Sequence, residues 1–297
     1  MTEPPNLPGA GPAAPEETVP TCYRHPGRET YVRCQRCNRP ICPECQIPAS
    51  VGVQCPECVR EGNRSIRPTR TTLGGIARGG SGAPVTMTLI GVCVLAFLAQ
   101  QSIGSEVLVR FGLIGGANAT DLGLGVIGVA DGEYYRLLSA AFLHGGFPHL
   151  LVNMFSLYLL GPQLEALLGR SRFVALYLVS AVGGTAVSYL LNPPFQFSVG
   201  ASGAIFGLFG AMVVVSRRLN YDLRPVLGII GVNAVIGFVV PQIDWQAHLG
   251  GLLTGGLIAV AMVYAPRDRR TVVQVAGTGL VLALVAFVVL VRTGQLT

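Results

Sequence analysis

Seven apolar stretches, separated by short polar breaks, constrain this 297-residue chain more than any other feature: about 85–103, 147–168, 172–191, 199–216, 225–241, 245–264 and 271–291. Each approaches the ~20 residues that a helix needs to cross ~30 Å of hydrocarbon. A lipid environment leaves no water for unpaired backbone groups, so segments of this kind cross as helices and not as open sheet. Composition agrees. Only 12% of residues are charged, about half of what a soluble globular chain carries, and the mean hydropathy is +0.54. An ordinary soluble enzyme, a disordered regulator and a secreted disulfide scaffold are all excluded. The expected class is an all-α polytopic membrane protein with a small soluble module in front.

All 21 basic residues are arginine, and their positions predict an orientation. Arg60, Arg64, Arg67, Arg70 and Arg78 precede the first stretch. Arg170 and Arg172 separate the second from the third, Arg217, Arg218 and Arg224 the fourth from the fifth, and Arg267, Arg269 and Arg270 the sixth from the seventh. The other face has Arg110, Arg136 and Arg292, a bias of 13 to 3. Basic loops stay cytoplasmic. The expectation is therefore a multi-pass plasma-membrane protein of seven spans, with its N-terminus cytoplasmic and its C-terminus outside. The net charge of +6 fits loops and flanks facing anionic lipid. It does not point to nucleic acid, because no Arg-rich stretch is interleaved with aromatic residues.

The polar parts divide further. Residues 1–20 hold six prolines and read as a disordered tail with no signal peptide. Residues 61–84 are a Gly/Arg linker. Residues 104–146 connect the first two spans with apolar patches and few charges, which predicts a semi-buried structure against the membrane.

Residues 21–60 carry seven of the eight cysteines. Cys22-x2-His25, Cys34-x2-Cys37, Cys42-x2-Cys45 and Cys55-x2-Cys58 are four paired knuckles, and two pairs complete a tetrahedral ion. Eight ligands imply two Zn2+ ions. Disulfides are disfavoured on the reducing side of the membrane. With every position filled by protein, the sites are closed and structural, which suits a module that meets a cytoplasmic protein partner. Spacing leaves the pairing open between sequential and interleaved. The pattern resembles the B-box and related cross-brace zinc fingers. That resemblance implies one ion held by Cys22, His25, Cys42 and Cys45, and another by Cys34, Cys37, Cys55 and Cys58. Cys93, inside the first span, reads as a small buried hydrophobe.

Four polar side chains fall inside apolar stretches, where they are costly and mark function: His149, Asn153, Ser202 and His248. Spans two, four and six enter from the same side, and each carries its polar residue within two turns of that end. His149 and Asn153 are i, i+4 on one helix face. Gly200, Gly203, Gly207 and Gly210 line one side of span four, and Gly251 and Gly255 follow His248 on span six. Two glycine-faced helices can approach closely, close enough to give Ser202 a base. No third acid is evident; Asp244 lies one turn before His248 and Glu165 at the opposite end.

At these residues the chain resembles the rhomboid family of intramembrane serine proteases over 85–264. The resemblance is carried by Gly200-x-Ser202-Gly203, by Ala247-His248-x-x-Gly251-x-x-x-Gly255 and by His149-x-x-x-Asn153. Tyr135-Arg136 stands where the family usually has Trp-Arg, Phe206 where it often has tyrosine, and Glu165 near its acidic residue at the inner end of the second helix. The resemblance implies a six-helix core with a seventh helix added over 265–297. It implies Ser202 as nucleophile, His248 as general base and acid, and His149, Asn153 and the Ser202 N–H as an oxyanion hole. No catalytic cofactor is implied, and the substrates would be transmembrane proteins cut near the outer end of a helix. Two other readings stay open on the residues: a catalytically inactive client-binding relative, and a metal or solute transporter using His144, His149 and His248.

Overall fold

A computed structural model describes residues 19–65, 71, 73–75, 82–118, 125–240 and 243–297. The tail expected over 1–20 lies almost wholly outside these residues, as does much of the linker expected over 61–84. The chain divides into two compact units, Met1–Pro68 and Thr69–Thr297, taken here one at a time.

The first unit is built from turns. Strands β1 (Thr21–Cys22) and β2 (His25–Glu29) pair antiparallel, as do β3 (Ile47–Pro48) and β4 (Val53–Gln54). Helix α1 (Pro56–Ser65) starts directly after Cys55, so that Cys58 lies in its first turn. Its buried cluster consists of Ile41 and six cysteines, with Tyr23, Cys37 and Val53 packed alongside. So few apolar side chains cannot carry a domain of this size without a staple.

The second unit is helical: α2 (Pro84–Ile103), α3 (Glu106–Phe111), α4 (Arg136–Ser139), α5 (Phe147–Leu168), α6 (Arg170–Leu191), α7 (Ser202–Leu219), α8 (Arg224–Val239), α9 (Trp245–Val263) and α10 (Arg270–Leu296). Six of these are long and apolar enough to cross a bilayer. The fifth expected span, α8, is a shorter apolar helix of 16 residues, about 24 Å of rise. Burial places α7 at the centre, with 67% of its apolar window covered, and α10 at the periphery with 17%. The centre is α7 on α9 with α6 against both, because glycines remove the side chains that would separate them. A Cβ on Gly251 would fall on the Gly203 carbonyl, one on Gly255 on the Gly207 carbonyl, and one on Gly183 on the Thr254 hydroxyl.

The described residues of the connection, 104–118 and 125–146, gather around Arg136, which is 1% exposed. Its guanidinium donates to the Val109 and Gly112 carbonyls at 2.7 and 2.8 Å and pairs with Glu133 at 2.7 Å. The Tyr135 hydroxyl donates to the Arg110 carbonyl and to Glu133. Strands β5 (Ala117–Asn118) and β6 (Val126–Ile127) pair beside it. Cys93 is fully buried in the main core.

Candidate active site and metal clusters

Three helix N-termini meet at one end of the bundle, those of α5, α7 and α9. Helix α7 begins at Ser202, three residues later than the apolar pattern predicts. The cause is Gly200, whose φ of +137° suits glycine and no helix; its N–H donates instead to the Ala140 carbonyl. Ser202 therefore opens its helix, and its N–H is among the first four that no intrahelical carbonyl can satisfy.

His248 lies in the first turn of α9. Its ring stacks on Phe206, one turn after Ser202, with centroids 4.1 Å apart and planes 9° from parallel. Backbone contact between the two helices is close here: a Cβ on Gly203 would lie 3.4 Å from the Ala247 carbonyl oxygen. His149 faces Gly200 from α5. A Cβ on Gly200 would meet His149 Cε1 and Nε2 at 2.7 and 2.8 Å, and Ser202 Oγ at 3.6 Å. The Gly145 N–H donates to His149 Nδ1 at 3.4 Å, which leaves Nε2 as the protonated nitrogen on the Gly200 side. Asn153 is 4% exposed, and its amide donates one hydrogen to the His149 carbonyl at 2.8 Å. All four sequence-predicted residues thus belong to one neighbourhood.

Several supporting contacts were not visible in the sequence. Asp244 is the N-cap of α9, accepting the Ala247 N–H at 3.0 Å. It also accepts from the Ser188 hydroxyl at 2.5 Å, on the last turn of α6, and from the amide of its C-cap Asn192 at 3.2 Å. The Gln100 side chain on α2 clamps the backbone of His144 with two bonds, 2.8 and 3.1 Å, and the buried His144 ring packs edge-on to His149 at 5.4 Å. At the opposite end, Glu165 accepts the Val85 and Thr86 N–H groups and the Thr86 hydroxyl.

In the first unit the cross-brace sets come together. Cys22, His25, Cys42 and Cys45 form one group and Cys34, Cys37, Cys55 and Cys58 the other, with ligand atoms all within 4.8 Å in each. Both groups could hold a metal ion. The donor chemistry fits zinc: Cys22 Sγ–His25 Nδ1 is 3.8 Å and Cys37 Sγ–Cys55 Sγ 3.7 Å, near the ~3.8 Å edge of a tetrahedron with ~2.3 Å Zn–S bonds. Donors to the sulfurs are in place, as thiolates require. The Cys55 N–H reaches Cys34 Sγ at 3.2 Å and Arg39 Nε reaches Cys37 Sγ at 3.3 Å.

Comparison with known proteins agrees with this architecture. The rhomboid domain matches residues 131–267. RHOMBOID-like protein 5 of Arabidopsis thaliana is 41% identical over 147 residues, 47% of each chain. The putative rhomboid protease YdcA of Bacillus subtilis is 38% identical over 149 residues, covering 48% of this chain and 74% of that one. The rhomboid protease GluP of the same organism is 34% identical over 191 residues, 61% of this chain and 35% of that one. The chain belongs to the rhomboid family, a family that includes proteins named as rhomboid proteases. It spans about half the length of the plant relative.

Proposed function

We propose that the chain is an intramembrane serine protease that cuts transmembrane proteins near the outer end of a helix. The observation that carries this reading is the glycine seam between α7 and α9, which brings the start of the Ser202 helix against the turn that bears His248. The His248 Nδ1 lies on the α8 side, 3.9 Å from where a Cβ on Gly237 would be, which leaves Nε2 for Ser202.

In the proposed mechanism the His248 imidazole takes the proton of the Ser202 hydroxyl as Oγ attacks the scissile carbonyl carbon. The tetrahedral intermediate puts its negative charge on the former carbonyl oxygen. Donors for that oxyanion are the Ser202 N–H, His149 Nε2–H and the second Asn153 amide hydrogen, all held by packing before substrate arrives. Three helix N-termini add their positive dipole ends to the same locus. His248 then gives its proton to the departing amine, and water, activated by the same imidazole, hydrolyses the acyl-enzyme. The pair acts as a dyad; Asp244 orients the helix that bears the base.

The arginine bias supports a cytoplasmic N-terminus, an outer C-terminus and a plasma-membrane location. The two clusters would hold structural Zn2+, and the module they fold would receive a cytoplasmic protein partner. A reconstituted transmembrane substrate tests the enzyme: cleavage is expected to disappear in Ser202→Ala. A fluorophosphonate probe is expected to label Ser202 in the wild type and not in His248→Ala. Cleavage retained by Ser202→Ala would overturn the reading; labelling independent of His248 would remove the base.

A further inference from the structure

Helix α10 lies wholly beyond the residues matched by the rhomboid domain, 131–267, yet it is bonded to the end of the bundle that carries the site. Near its C-terminal end, Arg292 Nε donates to the Tyr189 carbonyl and an Nη to the Asn192 carbonyl, each at 3.2 Å. The Tyr189 hydroxyl meets Thr293 Oγ1 at 3.1 Å. The Tyr189 carbonyl is among the last four of α6, which lack intrahelical donors at the negative end of the dipole, and Asn192 is the C-cap just beyond. A guanidinium is well matched to them.

The same turn of α6 holds the helix that bears His248. Asn192 donates to both Ser188 and Asp244, and Ser188 donates to Asp244. Asp244 in turn caps α9, and its carbonyl accepts the His248 N–H at 3.3 Å. Hydrogen bonds therefore run without a break from Arg292 on α10, through the last turn of α6 and Asp244, to the backbone of His248. The Phe206 face fixes the tilt of the imidazole. This chain of bonds anchors the start of α9 to the end of α6.

We infer that α10 is a strap for the catalytic base, and that Arg292 and Asp244 are positioning residues for His248. The inference rests on the protease reading above. The bonding argues for a role in rate: an activated serine tolerates little displacement of its base, and a shift of about 1 Å from a remote change can lower turnover about a hundredfold.

The test uses the full chain in proteoliposomes with a fluorogenic transmembrane substrate, reading kcat, KM, fluorophosphonate labelling of Ser202 and Tm. Arg292→Ala is expected to lower kcat about fivefold with KM unchanged, and Asp244→Ala about tenfold or more, with labelling falling in proportion. Arg292→Lys, which still donates to carbonyls, and Asp244→Asn, which still accepts the Ala247 N–H, should each recover most of the loss. The double alanine variant should lose less than the product of the single losses, because both act through one chain of bonds. Should Asp244→Ala fail to fold, Asn192→Ala removes one of the three donors to the carboxylate and leaves the cap.

Wild-type activity with kcat unchanged in the variants, a rise in KM alone, or losses that multiply would overturn the strap. So would a kcat loss that neither conservative variant restores. A wild type that neither cleaves substrate nor labels at Ser202 would instead overturn the protease reading, and the strap with it.

Discussion

Asn153 commits one amide hydrogen to the His149 carbonyl, and a single second hydrogen remains for a developing oxyanion. Asn153→Ala should lower kcat by about a hundredfold or more, as loss of an oxyanion donor does, with KM little changed; unchanged turnover would take Asn153 out of the hole. Glu133 permits a prediction of opposite character. Burial pushes its carboxyl up, but the Arg136 guanidinium, the Gly128 N–H and the Tyr135 hydroxyl outweigh this and hold it below its ordinary value of 4.5. A depressed folded value contributes stability that is present above the unfolded value and lost as pH falls through the folded one. The hydrogen-exchange protection of residues 126–136, taken relative to the intrinsic exchange rate at each pH, should therefore fall on acidification, and Glu133→Gln should flatten that acid limb; a variant with the wild-type profile would assign the effect elsewhere. Ser202, His248, His149 and Asn153 were legible because polar side chains stand out in apolar stretches. Ser188, Asn192 and Gln100 were not, and neither were the partners of Asp244. Their partners lie 44 to 56 residues away, and a polar residue at a helix end carries no periodic signal.

At the level of elements, each expected span became a helix, and the differences sit at the ends. Helix α7 starts late because Gly200 turns the chain. The fifth apolar stretch yields only the 16 residues of α8. Boundaries of this kind depend on tertiary contacts that hydropathy does not contain. Helix α2 shows the same dependence: no side chain of its own caps it, and the Glu165 carboxylate from α5 accepts its first N–H groups. Glu165→Ala would leave buried donors unsatisfied, a cost of about 1–3 kcal/mol. The expected outcome is a lower Tm in detergent with kcat per folded molecule retained. A fall in kcat with Tm unchanged would place Glu165 in the chemistry.

For the whole molecule, the two units rest on different sources of stability. The helical unit has a continuous apolar core, whereas the first unit buries thiols. A strong chelator should remove two metal equivalents and expose residues 19–65 to protease, while the melting transition of the helical unit stays where it was. Protection that survives metal removal would mean that the module folds without ions. The Cys and His residues that gather into two clusters were legible from their spacing; how closely α7 meets α9 was not, because glycine spacing names a face and not the distance to what it touches. That closeness also dictates how the gene can drift. In a library of all single substitutions, alanine should be depleted at Gly184, Gly207, Gly210, Gly250, Gly251 and Gly255, where a methyl group would collide with a neighbouring backbone or side chain. It should be tolerated at Gly228, Gly231 and Gly279, where it meets nothing within 4 Å. The forbidden positions would trace the buried seam between α6, α7 and α9, and selection would draw the site without any reference to its chemistry.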